Sequence, residues 1–377
     1  MPNFPIGAIA ALVVAIAIAD SRADAIDPQL IAESHYPLTE AKVYKFHSER
    51  ADRDLKLMVS LPASYESSGP DRRYPVLYVV DGQWHFVISQ SAAGGLHYDR
   101  GWFESIVVGI TWDGNVDDAN RLRFEDFTIS TLADNPATGK ADKYLDFLQY
   151  ELIPWVDEHY RTRQDRVLVG SSLGGLIAMY CLFTRPALFT DYLASSPAIW
   201  WDSQVIRRYQ NAFAPQDLES PVRLYMARGG KEWGRQDIDA YAAELQAQSY
   251  PNLVIDFDVI EGAGHGGLNP EAFTRGLQFF FENKGLRLDP ALTSVYEGSY
   301  HGAEGLPAVR VRAEDGQLFA TDNQSNVEML WVAVGENRFY LPNMGMEAWF
   351  VVNENQMATE LVVKTEGGEL HFQRQEE

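Results

Sequence analysis

The sequence predicts an α/β fold, a mostly parallel sheet covered by helices on both faces, followed by a small all-β domain. Three observations predict it. Between residues 55 and 283, short apolar runs alternate with stretches of helical spacing, the grammar of repeated strand-helix units. Several runs are apolar at successive positions, as strands buried on both faces are. After Leu288 the helical spacing stops and only short strand-like runs remain.

Leu55 to Leu61 alternates and reads as a strand, and the Gly/Pro/Ser-rich Ser67 to Arg73 as a turn. Tyr74 to Asp81 is a buried strand that stops at Asp81-Gly82, and Ser105 to Ile110 is a second. Trp112 to Asp142 is rich in Asp, Asn and Arg and has poor periodicity, which predicts a long excursion over the carboxyl edge of the sheet. Asp142 to Tyr160 puts Tyr144, Leu148, Leu152 and Trp155 on roughly one helical face. Strands then follow at 166–170, 191–195, 222–227 and 253–260. Helices follow at 174–183, about 203–213, 236–248 and 270–283, the last with Pro270 in its first turn. In the tail, Val309–Val311, Met329–Val334, Ala348–Asn353 and Leu361–Lys364 are punctuated by Asp315-Gly316 and Gly367-Gly368. They predict an antiparallel β domain over 289–377, with an edge free to pack on the main sheet.

The 377 residues, 46% of them hydrophobic, supply more core than one domain usually needs. Asp and Glu number 53 against 31 Lys and Arg. A net charge of -22 argues against a nucleic-acid partner, because phosphate backbones need a positive footprint. Ile6 to Ala19 is apolar but short for a membrane span, and Ala23-Asp24-Ala25 fits a signal-peptide cleavage site. Residues 1–25 are therefore expected to be a signal peptide, 26–288 the main domain, and the protein periplasmic or secreted. Met1 to Pro5 lacks the usual basic residue, so an uncleaved anchor or a buried N-terminal segment stays open. The one cysteine, Cys181, lies in an apolar helical run, which reads as a buried structural thiol.

Gly170-Ser171-Ser172-Leu173-Gly174 is a G-x-S-x-G pattern preceded by a strand and followed by a small-residue helix. That strand-turn-helix context is the nucleophile elbow of the α/β-hydrolase fold, with Ser172 as nucleophile and Ser171 as the competing hydroxyl. The backbone N–H of Leu173 is aimed at a developing oxyanion. His265, in Glu261-Gly-Ala-Gly-His-Gly-Gly, follows a strand and precedes the last helix, at the sheet edge where such sites form. It is the expected general base. The acid falls between them: Tyr225-Met-Ala-Arg-Gly-Gly-Lys-Glu-Trp-Gly-Arg-Gln-Asp offers Glu232 first and Asp237 as its alternative, and Asp202 or Asp239, outside that stretch, is a further candidate. The second oxyanion donor is expected at Gln83 or Trp84, unless Asp81-Gly82 is a plain turn. Trp84, Trp102, Trp112, Trp200, Trp201 and Trp233 lie near sheet-edge segments and predict an aromatic-lined cleft. Arg121 and Arg123 either hold a carboxylate or catecholate there or pair with Glu125 and Asp126. No metal-ligand spacing such as H-E-x-x-H occurs, and hydrolysis of this kind needs no cofactor.

Tyr78-Val-Val-Asp-Gly-Gln, Arg121 to Thr128, Glu151-Leu-Ile-Pro-Trp-Val, Val169-Gly-Ser-Ser-Leu-Gly-Gly, Ser195-Ser-Pro-Ala-Ile-Trp-Trp and Gly262-Ala-Gly-His together cover about 45 to 285. Through these pieces the chain resembles the esterase family that includes esterase D-like, feruloyl-esterase-like and enterobactin/bacillibactin esterase-like proteins. The Ser-Pro-Ala-Ile-Trp-Trp segment looks most like the siderophore-esterase branch. The resemblance implies catalytic roles for Ser172 and His265, and its Gly-x-x-Glu pattern falls on Gly229-Gly230-Lys231-Glu232. The extra stretch Trp233 to Asp237 departs from it. Tyr296-Glu-Gly-Ser-Tyr also resembles the opening of a small β domain appended to secreted serine hydrolases and penicillin-recognising enzymes. The expected function is serine esterase action on an aryl, feruloyl-like or siderophore-type ester. An acyltransferase or peptidase with the same triad is the rival, and a non-catalytic scaffold the alternative from another class.

Overall fold

The computed structural model describes residues 29–375 except 37–38, 67, 69, 71, 101–103, 214–217, 219–220, 249, 283–292, 315, 325–327, 336, 342–345 and 366. The expected signal peptide lies outside the described residues. The apolar runs become strands of a nine-stranded sheet: β1 (Gln29–Tyr36), β2 (Thr39–Ser48), β3 (Arg53–Ser60), β4 (Tyr74–Val79), β5 (Ile106–Trp112), β6 (Thr162–Ser171), β7 (Asp191–Ser195), β8 (Val222–Gly229) and β9 (Leu253–Ile260). Their order is β1-β2-β3-β5-β4-β6-β7-β8-β9. The first three are an antiparallel meander, β3 joins β5 antiparallel, and β5 through β9 run parallel. All six residues of β4 are buried, as its unbroken apolar run requires. The chain leaves β4 on one side for β5 and returns on the other for β6. That reversal opens a crevice at the carboxyl ends of β4 and β6.

Helices cover both faces. One face packs against α1 (Gly82–Arg100) and α8 (Asn269–Glu282). The other packs against α2 (Val116–Asp126), α3 (Ala141–Phe147), α4 (Ile153–His159), α5 (Leu173–Thr184), α6 (Ile206–Ala212) and α7 (Arg235–Ala247). Cys181 lies in this second core, where burial pushes its thiol up to about 12.

Four departures from the sequence reading have physical causes. The segment after Trp112 is not a plain excursion, since α2 lies in it, capped by the Asn115 side chain on the N–H groups of Asp117 and Asp118 at 2.9 and 3.0 Å. Its last turn buries Glu125 and Asp126, which meet Arg53 at 2.5 and 3.3 Å, so a charged inward face hides the helical period. The helix expected over 142–160 is interrupted by a π turn, Leu148–Leu152. Pro154 has no N–H to give, and the Ile153 N–H reaches back to the Leu148 carbonyl. The helix expected from 203 begins at Ile206, because Asp202, Ser203 and Gln204 sit at φ of 41, 53 and 65°. Helix α1 was not anticipated; Gly94 and Gly95 inside it weaken its pattern.

The tail closes on itself. β10 (Gly298–His301), β11 (Val309–Glu314), β12 (Gln317–Asp322), β13 (Glu328–Gly335), β14 (Arg338–Leu341), β15 (Met346–Val352), β16 (Ala358–Thr365) and β17 (Gly368–Arg374) form an antiparallel barrel, sealed by β10 on β17. Closure removes the edge that the sequence left free. Tyr296, Tyr300, Trp331, Phe339 and Phe350 help fill its interior. Leu330 and Tyr340 pack instead against the cluster under α1 and α8.

Candidate active site

The elbow follows from two close approaches. A Cβ on Gly170 would strike the backbone carbonyl of Gly174, so β6 and α5 meet only with glycine there. Ser172 takes the turn between them at φ 58° and ψ −117°, a conformation that costs a non-glycine residue about 1–3 kcal/mol. Three backbone bonds hold it. Its N–H donates to the Ser195 carbonyl at 2.9 Å, and its carbonyl accepts from Leu176 at 2.9 Å and Ala198 at 3.0 Å. Ser171 stays in strand register opposite Ser195.

Ser172 opens onto a cavity of about 350 Å³ that His265, Trp84, His85, Arg123 and Asn269 also line. His265 sits in the turn between β9 and α8. Behind it, the Glu232 loop is sewn to the histidine loop by Gly230 N–H to the Ile260 carbonyl and Lys231 N–H to the Ala263 carbonyl, both at 2.9 Å. The Glu232 side chain is 1% exposed and reaches His265 Nδ1 at 3.3 Å. Asp237 lies elsewhere, exposed on the first turn of α7, and Asp239 is paired with Arg228 at 2.5 Å. Asp202 is exposed.

The sequence reading missed three participants. Ser196, the residue after β7, puts its hydroxyl 2.8 Å from His265 Nδ1 and 2.8 and 2.7 Å from the two Glu232 oxygens. Its place beside Ser195 and Pro197 at a parallel-strand terminus was the available signal. His85 accepts from Asn269 Nδ2 at 3.3 Å, and Asn269 accepts from the Ser195 hydroxyl at 2.7 Å. Burial lowers the pKa of His85 below its usual 6.5, against the opposing pull of Asp81. Nothing in the spacing of a helix interior marks such a histidine.

The β4–α1 turn is locked from below. A Cβ on Gly82 would lie 2.8 Å from the Ile110 nitrogen, and Asp81, at φ 53°, is buried and gripped by Arg123 Nε and Nη2 at 3.0 and 2.8 Å. The Trp84 N–H is spent on the Asp81 carbonyl at 2.9 Å, which removes it as an oxyanion donor. Gln83, one residue earlier in the first helical turn, has no intrahelical acceptor for its N–H, and neither does Leu173 at the start of α5.

The other expected pocket residues divide. Arg123 lines the cavity with its guanidinium over the Trp84 ring. Arg121 does not; it is 60% exposed and pairs with Glu125 at 2.8 Å along the helix. Trp201 is buried, donating to Ser130 at 3.1 Å, and Trp112 is a core residue bonded to Asp126 at 2.7 Å. Trp102 lies outside the described residues. Trp200 and Trp233 are exposed, with ring centroids 6.1 Å apart, and continue through Trp201 to Phe124 at 5.9 and 6.4 Å. They form a row beside the cavity rather than its wall. Among the described residues no cluster of His, Cys, Asp or Glu has metal-holding geometry, and no helix is long and apolar enough to cross a membrane.

A parallel sheet with this strand order, a strained serine after β6 and a histidine after the last strand define an α/β-hydrolase. Residues 48–303 match the family described as Putative esterase. The chain belongs to that family and is a carboxylic-ester hydrolase. It is 30% identical over 282 residues to the siderophore triacetylfusarinine C esterase of Aspergillus fumigatus, covering 66% of this chain and 95% of the relative. It is 25% identical over 273 residues to the ferri-bacillibactin esterase BesA of Bacillus subtilis, covering 67% and 92%. An IroE-like serine hydrolase from Shewanella oneidensis superposes with a TM-score of 0.57 at 25% identity, over 67% of this chain and 83% of its own. The family match ends just after β10, so the barrel from β11 onward lies beyond it.

Proposed function

We propose that this chain hydrolyses siderophore-type or aryl esters through an acyl-enzyme, with Ser172 as nucleophile, His265 as general base and Glu232 as the carboxylate that orients it. The observation that carries this reading is the buried Glu232 carboxylate behind His265, at the cavity where the strained Ser172 opens. His265 takes the Ser172 proton as Oγ attacks the ester carbonyl. The oxyanion is received by the N–H groups of Leu173 and Gln83, and the Asp81–Arg123 lock keeps the second in place. The imidazolium then protonates the departing alcohol. Water, activated by the same imidazole, releases the acid and restores Ser172.

The siderophore class is supported by relatives whose names state such esters, and the aryl class by the row from Phe124 to Trp233. Hydrolysis is favoured over acyl transfer because the His265 side chain is 44% exposed and water reaches it. The test is a panel of aryl, short-acyl, feruloyl and siderophore-lactone esters, with Ser172→Ala as blank. Turnover of none of them, or turnover that survives in the blank, overturns the reading. Export to the periplasm or medium is part of the same proposal, supported by Ile6–Ala19 and Ala23-Asp24-Ala25. N-terminal sequencing from the native host should give a chain beginning at Ile26; a cytoplasmic chain that keeps its first residues overturns it.

A further inference from the structure

The hydroxyl of Ser196 stands where an acid and a base would otherwise meet directly. His265 Nδ1 is 2.8 Å from Ser196 Oγ and 3.3 Å from the nearer Glu232 oxygen, so its shorter bond is to the serine. Ser196 Oγ lies 2.8 and 2.7 Å from the two carboxylate oxygens. A carboxylate only accepts, and a hydroxyl has one proton and two lone pairs. The Ser196 proton therefore goes to Glu232, and a lone pair is left for the Nδ1–H of His265. The direction of donation is fixed along the chain: imidazole to hydroxyl to carboxylate.

The backbone supports the assignment. Ser196 is 1% exposed and sits at φ 43°, in the left-handed region that favours glycine. Its N–H is bonded to the Ala227 carbonyl at 2.6 Å, so the conformation is held by β8. A glycine would occupy the position with less strain, and what it lacks is the hydroxyl. Strain of this kind persists where the surroundings over-determine it, commonly at functional sites.

We infer that Ser196 is a positioning residue of the reaction, relaying the Glu232 carboxylate to His265 through its hydroxyl. This rests on the reading of His265 as general base. The relay fixes the tautomer with Nδ1 protonated and Nε2 free to take the proton of Ser172. It also stabilises the imidazolium that follows. The other charged or titratable groups around it are Arg123 of α2 and His85 of α1, which line the cavity, Arg228 of β8 beyond Glu232, held by Asp239, and Lys231 and Glu261, exposed on the two loops that meet there.

The experiment is steady-state kinetics of the full chain on one activated ester across pH 5 to 9, with Ser196→Gly and Ser196→Ala beside wild type. Both variants should lose about 10- to 100-fold in kcat with little change in KM. The midpoint of kcat/KM should move to lower pH, because the protonated imidazole has lost its nearest acceptor. Both variants lack the hydroxyl, alanine keeps the strain that serine already bears and glycine relieves it, so a loss confined to alanine means the hydroxyl serves to hold the backbone and overturns the relay. An unmoved midpoint, or one moved upward, also overturns it. A cycle with Glu232→Gln decides independently: the carboxylate change should cost much less once the hydroxyl is gone, whereas multiplying costs mean that Glu232 acts directly. A wild type that is inactive or takes no fluorophosphonate label would sink the underlying triad instead. An active wild type with an undisturbed Ser196→Gly protein sinks only the relay.

Discussion

The carboxyl edge of the parallel sheet and the C-terminal barrel are built from the same kinds of strand to opposite ends. At the sheet edge, Asp81, Ser172 and Ser196 hold positive φ, and Asp81, His85, Ser195, Ser196, Glu232 and Asn269 are all buried polar groups. In the barrel, the described residues of strands β10 to β17 bury no charged, amide, imidazole or aliphatic hydroxyl side chain, and the interior is aromatic and aliphatic, with the Tyr300 hydroxyl donating to the Tyr296 carbonyl at 2.7 Å. A closed antiparallel meander pairs its strands with one another and leaves no open edge. A parallel sheet ends in loops whose N–H groups and side chains are still available, and there strain and buried charge are tolerated because each group is held by a specific partner. Chemistry collects at the second kind of place.

The sharpest way to break this contrast is to remove the nucleophile. Ser172→Ala should lower kcat by roughly 10⁴-fold or more with modest change in KM, and should leave thermal unfolding near wild type or slightly higher. Alanine keeps the strained backbone of this turn and gives up only a hydroxyl, which costs far less than loss of a core residue. Ester turnover and calorimetry on the same preparation check both halves. A turnover unchanged by the substitution would move the chemistry away from the elbow.

The converse change is in the barrel. Phe350 is 3% exposed and meets Tyr296, Tyr300, Trp331 and Phe339 with centroids between 4.8 and 6.1 Å. Phe350→Ala should cost the barrel about 3–5 kcal/mol, read by denaturant unfolding. Fluorophosphonate labelling of Ser172 should persist at denaturant concentrations where the barrel has melted. Loss of labelling together with the barrel signal would make the two regions one cooperative unit, coupled through Leu330 and Tyr340.

Legibility in the sequence divides along the same line. The inner parallel strands were readable because burial on both faces writes itself as an apolar run, as in β4, whereas β9, half-buried at the sheet edge, carries Asp256 and Asp258 in alternation and still falls at 253–260. The elbow was readable because glycine is forced there by contact; the histidine loop was readable from its run of glycines, of which Gly262 answers to a φ of 78° and Gly264, Gly266 and Gly267 meet no contact. Helix α2 was not, since its inward face is paid for in ion pairs rather than apolar contact. Nor was Ser196, whose importance is a distance to residues 36 and 69 positions away, a relation no local spacing encodes. The Trp84 N–H looked available as a donor until the turn used it. Barrel closure was also hidden, because the pairing of β10 with β17 joins the two ends of the tail.

Arg123 tests whether buried charge at the sheet edge depends on its partner. Asp81 is fully buried and Arg123 supplies both of its ion-pair bonds. Arg123→Met keeps much of the side-chain volume but strands the carboxylate, which should cost about 3 kcal/mol of hydrolase stability. Activity should fall as well, since the Gln83 N–H rides on that turn. Asp81→Asn in the Arg123→Met background should recover part of the stability, and no recovery would mean that packing, not charge, was lost.

The smallest expected effect concerns His85, and here the two regions should part on pH alone. Burial lowers the pKa of His85 in the folded protein below the 6.5 of an exposed histidine; Asp81 and the Val80 carbonyl oppose that shift, and Arg123 adds to it. Between its folded and unfolded values, the unfolded chain holds more protons at this position than the folded one. Unfolding free energy therefore rises with pH in that window, and the contribution is complete above about 6.5. As pH falls through the window, stability is lost. His85→Gln keeps an acceptor for Asn269 Nδ2 but does not titrate, so the hydrolase transition of the variant should depend less on pH between about 5 and 6.5 than that of wild type. The difference between the two proteins cancels every other titrating group, His265 included. In the barrel, His301 and His371 are exposed and His371 is already bonded to Glu360 at 2.8 Å, so the His85 substitution should leave the pH response of its transition unchanged. Denaturant melts at pH 5, 6 and 7, followed separately for the two transitions, measure this. Parallel pH profiles for wild type and His85→Gln would mean that His85 pays no desolvation cost on folding, and the polar network behind Ser172 would then have to be wetter than its burial indicates.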